Sequence, residues 1–486
     1  MNNIIGKITK ITGSKILVTV YNKNLIEKVN INNQVLNYIS IGSLIGTKLI
    51  DDRTLILTVE EIFENEGIII NCTICGIFDE VNSSFKFGTN SYPIINEKVF
   101  ILNSSALDII FNTKKSCNYI GTYVYNKDVK VSYDPNVIFG KHLGVFGNTG
   151  SGKTCTVVSL IQNYIRNNDN KDVKFIILDV NGEYKSAFNK NEAKYIPFSD
   201  LRINHNILSH TEYGKLFRAS EGVQYPVLKT SIEKLSNINK NWDLTELKGE
   251  LEEWVTNNTP NNYQGKPDTY TNNSLNGYLR TLFLRLDQIY EDEELMKVIN
   301  NQDSENIIEI IKKSNEKVII IDLQVSTDTL DIILFLLFKA LYIEKIFKSQ
   351  SIKTHLSLVL EEAHRYINAT IQETKLGSYY IDKLAREGRK FGIGLIVSSQ
   401  VPSMLSYEII SQCNSVVMHK ITSKKDLEFL RGVMRISNDS FYLQMSSLEK
   451  QHAIVCGEAF TNDSLVKIRT ANPLPKSNDP IIPTIS

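Results

Sequence analysis

One short segment of the chain has the composition and spacing of a phosphate-binding loop. Residues 147–154 read GNTGSGKT and match the pattern GxxxxGK[ST] without a gap. Glycines let the backbone curl tightly enough to aim several N–H groups at phosphate oxygens, and the start of the following helix adds partial positive charge. Lys153 is expected to reach the β- and γ-phosphates, and Thr154 is expected to ligate Mg²⁺. The predicted nucleotide-binding residues are Gly147, Asn148, Thr149, Gly150, Ser151, Gly152, Lys153, Thr154 and Cys155.

Two adjacent acids follow a later run of apolar residues. The run from Leu356 to Leu360 is typical of a buried strand, and Glu361 and Glu362 come directly after it. In a nucleotide site, Glu361 would hold the Mg²⁺ shell and Glu362 would polarise the attacking water. An acidic helix start would also place carboxylates here, but the phosphate loop in the same chain favours the catalytic interpretation. The chain has no NKxD guanine-specificity motif, which favours ATP over GTP.

Polar residues flank the next predicted strand, which covers residues 393–398. Gln400 follows this strand, and a polar side chain at such a strand end can contact the γ-phosphate or its water. Gln400 is therefore predicted to be a sensor residue. The run REGRK precedes the strand, and its Arg386 and Arg389 fit two interpretations. They either stabilise negative charge in the transition state or are solvated residues of a helix.

The segment DVNGEY carries two further acids at the end of the strand that follows the phosphate-loop helix. By topology, Asp179 and Glu183 would lie near the phosphates and would orient water or Mg²⁺ ligands. A structural turn around Asn181 and Gly182 explains the same residues equally well. Cys72 and Cys75 form a CxxC pair in a β-like run, without a second Cys or His pair at zinc-finger spacing. We interpret them as strand residues rather than as metal or redox ligands.

The segments around these residues alternate between strand and helix patterns. The phosphate loop follows an apolar strand and precedes a helix, and a second buried strand comes after that helix. This β-loop-α-β order predicts a parallel α/β sheet. The strands predicted for the sheet are LGVFG, DVKFIILD, KVIIIDLQ, LSLVL, FGIGLIVSSQ, NSVVMHKI and HAIVCGEAF.

Composition and periodicity divide the 486 residues into five segments. Residues 1–125 contain short alternating runs, which predict a small barrel or sandwich used for assembly or partner binding. Residues 201–315 have helical spacing and are predicted to be a helical insertion. The two parts of the α/β core are assigned to residues 126–200 and 316–462. The proline-containing residues 463–486 are predicted to be an extended arm, either free or packed on a neighbouring subunit.

Charge and hydropathy exclude two broad classes of protein. Lys plus Arg and Asp plus Glu both number 54, so the formal net charge is zero. A generally basic, DNA-coating protein is therefore excluded, whereas a local basic surface such as a pore lining is not. Hydrophobic residues make up 42% of the chain, and its apolar runs are too short to span a bilayer. With no targeting segment visible, we expect a soluble, cytoplasmic protein without a membrane partner.

Taken together, these motifs resemble the HerA family of ATPases, relatives of FtsK and of conjugation motors. The resemblance is carried, in order, by GNTGSGKT, LDVNGEY, LVLEEAHRYI, LAREGRKFGIGLIVSSQ and SQCNSVVMHKIT, together with the β-rich N-terminal region. It implies an α/β fold: a RecA-like P-loop ATPase core with an N-terminal small β-barrel and a helical insertion. It further implies that Lys153 binds nucleotide, Glu362 activates water, Arg386 lies near the γ-phosphate and Gln400 is the sensor.

The same resemblance implies a homo-hexameric ring that uses ATP and Mg²⁺ to translocate double-stranded DNA. Such motors commonly work with a separate effector, such as a nuclease or an NADase, and no catalytic signature of this kind is present in the chain. The effector is therefore expected to be another polypeptide, docked on the barrel. The Asn-, Ile- and Lys-rich composition suits an AT-rich bacterial genome and an anti-phage role.

Two positions depart from the family pattern. The chain has Lys141 and Lys420 where relatives often have arginine, and lysine keeps the charge but loses the planar, bidentate fork. The residue that completes a neighbour's site is left open by these changes. They also leave room for an alternative function, an ATP-regulated ring scaffold that activates an effector without processive translocation. A conjugation-type or secretion ATPase is disfavoured because the sequence shows no membrane anchor.

Overall fold

The protein is described by a computed structural model. It covers residues 4–21, 29–31, 34–36, 39–112, 117–168, 172–256, 272–300, 305–348, 353–367, 376–434, 436 and 439–476.

The N-terminal part is a closed β-barrel, as predicted. Its six strands, and three short strands that accompany them (β3, β4 and β8), are β1 (Ile4–Thr12), β2 (Lys15–Val20), β3 (Val29–Ile31), β4 (Gln34–Leu36), β5 (Leu44–Lys48), β6 (Thr54–Glu64), β7 (Ile68–Asp79), β8 (Ser84–Phe87) and β9 (Lys98–Ile101). Strands pair in the order β2-β1-β9-β5-β6-β7, and β2 pairs again with β7, which closes the barrel. Alternate residues point inward, so Ile16, Val18 and Val20 of β2 are buried while their neighbours are not.

The described residues beyond the barrel contain one large sheet of eleven strands. These are β10 (Tyr119–Tyr123), β11 (Asn126–Ser132), β12 (His142–Phe146), β13 (Val173–Asp179), β14 (Ala193–Ile196), β15 (Val318–Asp322), β16 (His355–Leu360), β17 (Ile393–Ser399), β18 (Cys413–Met418), β19 (His452–Gly457) and β20 (Ser464–Ile468). Their order is β11-β10-β20-β19-β18-β12-β17-β16-β13-β15-β14. The strands from β18 to β14 run parallel, and the other four add antiparallel pairs at one edge.

Helices cover both faces of this sheet. They are α1 (Ser104–Phe111), α2 (Pro135–Ile138), α3 (Lys153–Asn167), α4 (His210–Leu216), α5 (Gln224–Ile238), α6 (Leu244–Thr256), α7 (Asn272–Glu291), α8 (Glu293–Ile299), α9 (Ile307–Lys313), α10 (Thr327–Tyr342), α11 (Gly377–Glu387), α12 (Tyr407–Ser411), α13 (Lys424–Val433) and α14 (Ser440–Gln444). Phe175 and Ile177 of β13 point to the face covered by α3, and Ile176 and Leu178 point to the face covered by α10. A strand buried on both faces explains the continuous apolar runs that predicted the parallel sheet.

The predicted helical insertion is confirmed: α4 to α9 lie between β14 and β15. In α6, Leu244, Leu247 and Leu251 recur at helical spacing and are fully buried in the core that the insertion shares with α10. Residues 257–271 and 301–304 of this segment lie outside the described residues. The insertion therefore packs as an integral layer on one face of the sheet.

The ends of two predicted segments differ from the structure. The first strand of the large sheet begins at Tyr119, before the predicted barrel boundary at residue 125. The segment predicted as an extended arm contributes β20 to the sheet before it leaves the sheet, and its residues 477–486 lie outside the described residues. Both differences arise because antiparallel edge pairing with distant strands is not visible in local periodicity.

The prediction that Cys72 and Cys75 are strand residues is confirmed. Cys72 and Cys75 are buried in β7, and burial raises the pKa of both thiols. The Cys75 Sγ–H donates to Asn462 Oδ1 at 3.2 Å. Within the described part of the chain, no helix combines the length and apolar character needed to cross a membrane.

The barrel is fastened to the sheet by the hydroxyl group of Tyr123 in β10. This side chain is 1% exposed, accepts a hydrogen bond from the N–H of Leu44 at 3.1 Å and donates to the carbonyl of Gly42 at 3.4 Å. Since Leu44 begins β5 of the barrel, one buried group joins two sheets.

We expect Tyr123→Phe to lower the free energy of unfolding by about 1–3 kcal/mol, because the buried N–H of Leu44 loses its acceptor. Urea denaturation followed by circular dichroism measures the change. Tyr92→Phe is the control, since Tyr92 is 50% exposed. Equal midpoints for the two variants would contradict this role of Tyr123.

Candidate nucleotide site

The phosphate loop joins β12 to α3, and its glycines adopt conformations that other residues rarely adopt. Gly150 and Gly152 have φ angles of 70° and 117°. A Cβ added at Gly147 would lie 2.6 Å from the Cβ of His419, so this position has no room for a side chain. These constraints explain why the sequence needs glycine at these points of the loop.

The N-terminus of α3 is open toward the loop. Gly152 is its N-cap and supplies no capping side chain, and the first intrahelical N–H bond runs from Thr156 to Gly152 at 2.9 Å. The backbone N–H groups of Lys153, Thr154 and Cys155 therefore have no partner within the helix. A helix start of this kind binds anions, which places the phosphates of a nucleotide here.

Neighbouring strands hold the loop in shape through Asn148. Its N–H donates to the carbonyl of Lys420 at 2.8 Å, and its side-chain amide donates to the Thr422 hydroxyl at 2.7 Å. Its carbonyl accepts from the hydroxyl of Ser151 at 2.7 Å and from the ammonium of Lys153 at 3.2 Å. Lys153 thus lies folded along the loop, where its ammonium group can exchange this carbonyl for a phosphate.

Lys153 is a buried cation surrounded by carboxylates. It is 6% exposed, and burial lowers the pKa of its ammonium. Glu362, Glu361 and Glu183 act in the opposite direction and favour the charged form. The structure therefore brings one predicted cation and three acids from separate segments of the sequence to one point.

Glu361 is held at the end of β16 by two hydroxyl donors. Tyr184 donates to its Oε2, and Ser398 donates to its Oε1 at 3.2 Å. The side chain is 1% exposed, and burial raises the pKa of the carboxyl group to about 7, opposed by the Tyr184 hydrogen bond. A bound divalent cation would favour ionisation of this carboxyl group.

Glu362 has a strained backbone and an unsatisfied carboxylate oxygen. Its φ of 46° lies in the left-handed region, which costs a non-glycine residue about 1–3 kcal/mol and is common at functional sites. Gln400 donates to its Oε1, whereas its buried Oε2 has no hydrogen-bond partner among the described residues. His364 Nδ1 lies 3.2 Å from this oxygen without hydrogen-bond geometry, and burial lowers the pKa of His364. The free oxygen is therefore available to a water molecule.

Gln400 connects the phosphate loop with Glu362. Its Oε1 accepts from the Thr149 hydroxyl at 2.5 Å, while its Nε2 donates to the Glu362 carboxylate. The contact exists because β12 and β17 are parallel neighbours in which Phe146 pairs with Ser399. Both residues at these strand ends therefore reach the same edge of the sheet.

The two acids of DVNGEY, Asp179 and Glu183, lie in different environments, although both were predicted to lie near the phosphates. Asp179 is 1% exposed and accepts from the N–H groups of Glu183, at 3.0 Å, and Tyr184, at 2.9 Å, so it shapes the turn. Glu183 lies beside Thr154, whose hydrogen bond lowers the pKa of the Glu183 carboxyl group against a larger increase caused by burial. Only Glu183 faces the nucleotide site.

Arg386 lies at the opposite edge of the sheet from the phosphate loop of its own chain. It is exposed on the last turn of α11, and its charge acts on Asp382, whose pKa burial raises to about 6. The preceding carbonyl, of Ala385, accepts from His142 at the start of β12. β17 has seven residues, so its two ends lie roughly 20 Å apart at about 3.3 Å per residue. Arg386 therefore does not reach the phosphates of its own subunit.

The two lysines that replace arginine also lie at different edges. Lys141 precedes β12 and forms an ion pair with Glu458, near Arg389. Lys420 is exposed just after β18, and its carbonyl contacts the phosphate loop. The sheet thus places Lys141 and Arg389 on the side of Arg386, and Lys420 on the side of the nucleotide.

Residues that sequence reasoning did not identify complete the site. Tyr184 and Ser398 orient Glu361, and both occur inside motifs that were recognised, DVNGEY and SSQ. His419 is fully buried behind the loop, where its Nε2 accepts from the Thr156 hydroxyl at 2.8 Å and its Nδ1 donates to the carbonyl of His452 at 3.1 Å. No local signal marks His419, because its role depends on the pairing of β12 with β18.

The donor set fits a nucleotide with Mg²⁺. Uncapped N–H groups and Lys153 match phosphate oxygens, and the hydroxyl of Thr154 with the carboxylate of Glu361 matches the oxygen ligands that Mg²⁺ prefers. The buried Oε2 of Glu362, which has no hydrogen-bond partner among the described residues, matches an attacking water. Lys153, Thr154, Glu361, Glu362 and Gln400 are thus brought together, whereas Arg386 is not.

The sequence is similar to that of a helicase family and to those of proteins named as probable helicases. The family profile described as "Helicase HerA, central domain" matches residues 118–341. A probable helicase of Methanocaldococcus jannaschii is 24% identical over 366 residues, which cover 72% of this chain and 66% of that relative. The chain thus spans just under two thirds of the length of this relative. A probable DNA double-strand break repair helicase HerA of the same organism is 24% identical over 484 residues, covering 89% of this chain and 92% of the relative.

The fold also matches a solved structure. VirB4 of Thermoanaerobacter pseudethanolicus superposes with a TM-score of 0.54 at 15% identity, over 73% of this chain and 97% of that one. At this identity the likeness concerns the fold alone. It confirms the predicted RecA-like P-loop architecture of the large sheet.

We expect Glu362→Gln to bind ATP with nearly unchanged affinity but to hydrolyse it at least ~100-fold more slowly, because the amide cannot accept the proton of water. Turnover is measured by phosphate release, and binding by a fluorescent ATP analogue. Glu428→Gln, on exposed α13, is the matched control. Unchanged turnover in Glu362→Gln would overturn the assignment of the base.

Proposed function

We propose that this chain is an ATPase of the HerA family and that it acts as a motor that translocates double-stranded DNA. Hydrolysis would occur at the site built by the phosphate loop, Glu361, Glu362 and Gln400. The subunits would form a homo-hexameric ring around the DNA. The proposal draws on the assembled nucleotide site and on a relative named as a probable DNA double-strand break repair helicase.

The chemistry follows from the positions of the side chains. The loop N–H groups and Lys153 neutralise the phosphates. Thr154 and Glu361 would hold Mg²⁺, which would supply further positive charge to the γ-phosphate. Glu362 accepts the proton of water while the water oxygen bonds to the γ-phosphorus and the bond to ADP breaks. Gln400 touches both the loop and Glu362, so it transmits the presence of the γ-phosphate to the base.

The observation that carries the ring is the separation of Arg386 from its own phosphate loop. An arginine aids phosphoryl transfer only when it contacts the developing charge, and strand geometry keeps Arg386 roughly 20 Å away within one subunit. A neighbouring copy, oriented head to tail, brings the Arg386 edge of one sheet to the phosphate edge of the next. Repetition of that contact closes a ring.

The barrel is proposed to dock a separate effector, such as a nuclease or an NADase. Exposed apolar side chains follow its edge strand β8, namely Tyr92, Ile94 and Ile95, which are 50%, 55% and 54% exposed. Exposed apolar groups of this kind are frequent at protein interfaces. An anti-phage role and a cytoplasmic location belong to the same proposal.

One observation favours a second candidate, an ATP-regulated scaffold that activates an effector without processive movement. Lys141, at a position where arginine is frequent in the family, is paired with Glu458 in its own chain. A cation that is already paired is less available to a neighbour's nucleotide. In the scaffold, ATP turnover would switch the effector rather than move DNA.

We expect double-stranded DNA to increase ATP turnover severalfold or more, with an effect that grows with duplex length until a ring is fully loaded. Displacement of a protein roadblock from the duplex is measured in parallel. Lys153→Ala should abolish both, because the phosphates lose their buried cation. Turnover that ignores duplex length, together with full effector activation by Lys153→Ala, would favour the scaffold.

We expect Arg386→Ala to reduce turnover by about 100-fold while nucleotide binding is retained, because charge stabilisation is lost only in the transition state. Mixing it with Lys153→Ala should restore part of the activity, since mixed interfaces pair an intact loop with an intact arginine. Lys390→Ala, at a neighbouring exposed position, is the control. A mixture no more active than its separate components would exclude action between subunits.

A further inference from the structure

The last described residues of the chain form a strap over the nucleotide domain. This C-terminal strap, residues 471–476, leaves β20 and lies along α3. The N–H of Asn472 donates to Gln162 Oε1 at 2.8 Å, and Gln162 Nε2 donates to the carbonyl of Pro473 at 2.9 Å. Arg166 donates to the carbonyl of Asn472 at 2.6 Å. The strap is therefore tied to the helix that begins at the phosphate loop.

The strap ends on the turn that carries Glu183. The Ser186 hydroxyl donates to the carbonyl of Leu474 at 3.3 Å, and the N–H of Lys476 donates to the carbonyl of Glu183 at 2.9 Å. On its other side, the N–H of Glu183 donates to Asp179 Oδ1 at 3.0 Å. Both backbone polar groups of Glu183 are thus engaged, one by Asp179 and one by the strap.

The side chain fixed in this way points at the predicted metal ligand. Glu183 interacts with the hydroxyl of Thr154 and with the charges of Lys153 and Glu362. Its Oε2 is buried and has no hydrogen-bond partner among the described residues. Glu362, which is 5% exposed, likewise has one oxygen, Oε2, without a hydrogen-bond partner in the described part of the chain. Among the described residues, Glu183 and Glu362 thus each have one carboxylate oxygen without a hydrogen-bond partner, and Glu183 is the one that interacts with the hydroxyl of Thr154.

We propose that Glu183 is a third acidic residue of the metal–nucleotide site, which accepts hydrogen bonds from water bound to Mg²⁺, and that the C-terminal strap positions it. Mg²⁺ in proteins keeps several of its waters and uses only one or two direct carboxylates, so such waters need acceptors. Outer acceptors of this kind typically change metal affinity 10- to 100-fold. The inference depends on the proposed nucleotide site but not on DNA translocation.

The test measures Mg²⁺ dependence rather than catalysis. A non-hydrolysable fluorescent ATP analogue is titrated into the full chain, without DNA, at increasing Mg²⁺ and in EDTA. Glu183→Gln should weaken the Mg²⁺-dependent gain in affinity 10- to 100-fold and leave the affinity in EDTA unchanged or slightly higher. Equal losses with and without Mg²⁺ would show a merely structural role, and no loss would overturn the proposal.

The strap is tested with two variants at one exposed position. Lys476→Pro removes the N–H that holds Glu183, whereas Lys476→Ala keeps it. We expect the proline variant to lose about 10-fold of the Mg²⁺ dependence and the alanine variant to behave as the unmodified chain, with equal thermal midpoints for both. An equal Mg²⁺ dependence of nucleotide affinity in the two variants would contradict the proposal that the strap positions Glu183. If these Mg²⁺ effects are observed but DNA does not stimulate turnover, the proposed motor function is contradicted and the proposed role of Glu183 is retained.

Discussion

A buried positive charge organises the nucleotide site. Lys153 is almost fully removed from water, and a lone ammonium group in such a place would be costly. Glu361, Glu362 and Glu183 offset this cost, because each of these acids favours the charged form of Lys153. Three acids from two segments of the chain therefore stabilise one buried cation, while the acids themselves repel one another. The phosphates of a bound nucleotide would add negative charge beside Lys153 and so change the electrostatic balance between this cation and the three acids.

The backbone of Glu362 is strained where its side chain joins this network. Glu362 has a left-handed backbone directly after β16, and its Oε2 has no hydrogen-bond partner in the part of the chain that the structure describes. The other oxygen is tied through Gln400 to Thr149, so the free oxygen has a fixed direction. A preorganised acceptor of this kind requires little rearrangement when water binds.

The direction of the strands decides which functional residues lie at each of the two ends of the parallel strands. All parallel strands present their carboxyl ends to the phosphate loop, and the segments that precede them lie on the far side. Lys153 and Gln400 therefore share one edge, whereas Arg386 and Lys141 share the other. A complete site, in the proposed ring, needs two subunits. The C-terminal strap adds a second connection, from Lys476 to the turn that carries Glu183.

The sequence by itself determined the features that depend on local backbone chemistry. Glycine spacing specified the phosphate loop, alternation and apolar runs specified the barrel strands and the parallel sheet, and helical spacing specified the insertion. Tertiary structure alone decided which residues meet, since Thr149 and Gln400 are 251 positions apart and touch only because β12 and β17 are neighbours. It also separated Asp179 from Glu183 and removed Arg386 from its own phosphates. The physical reason is that the periodicity of a sequence indicates on which face of a helix or strand a side chain lies. The order and direction of the strands decide at which end of the sheet that side chain lies and which residues it contacts.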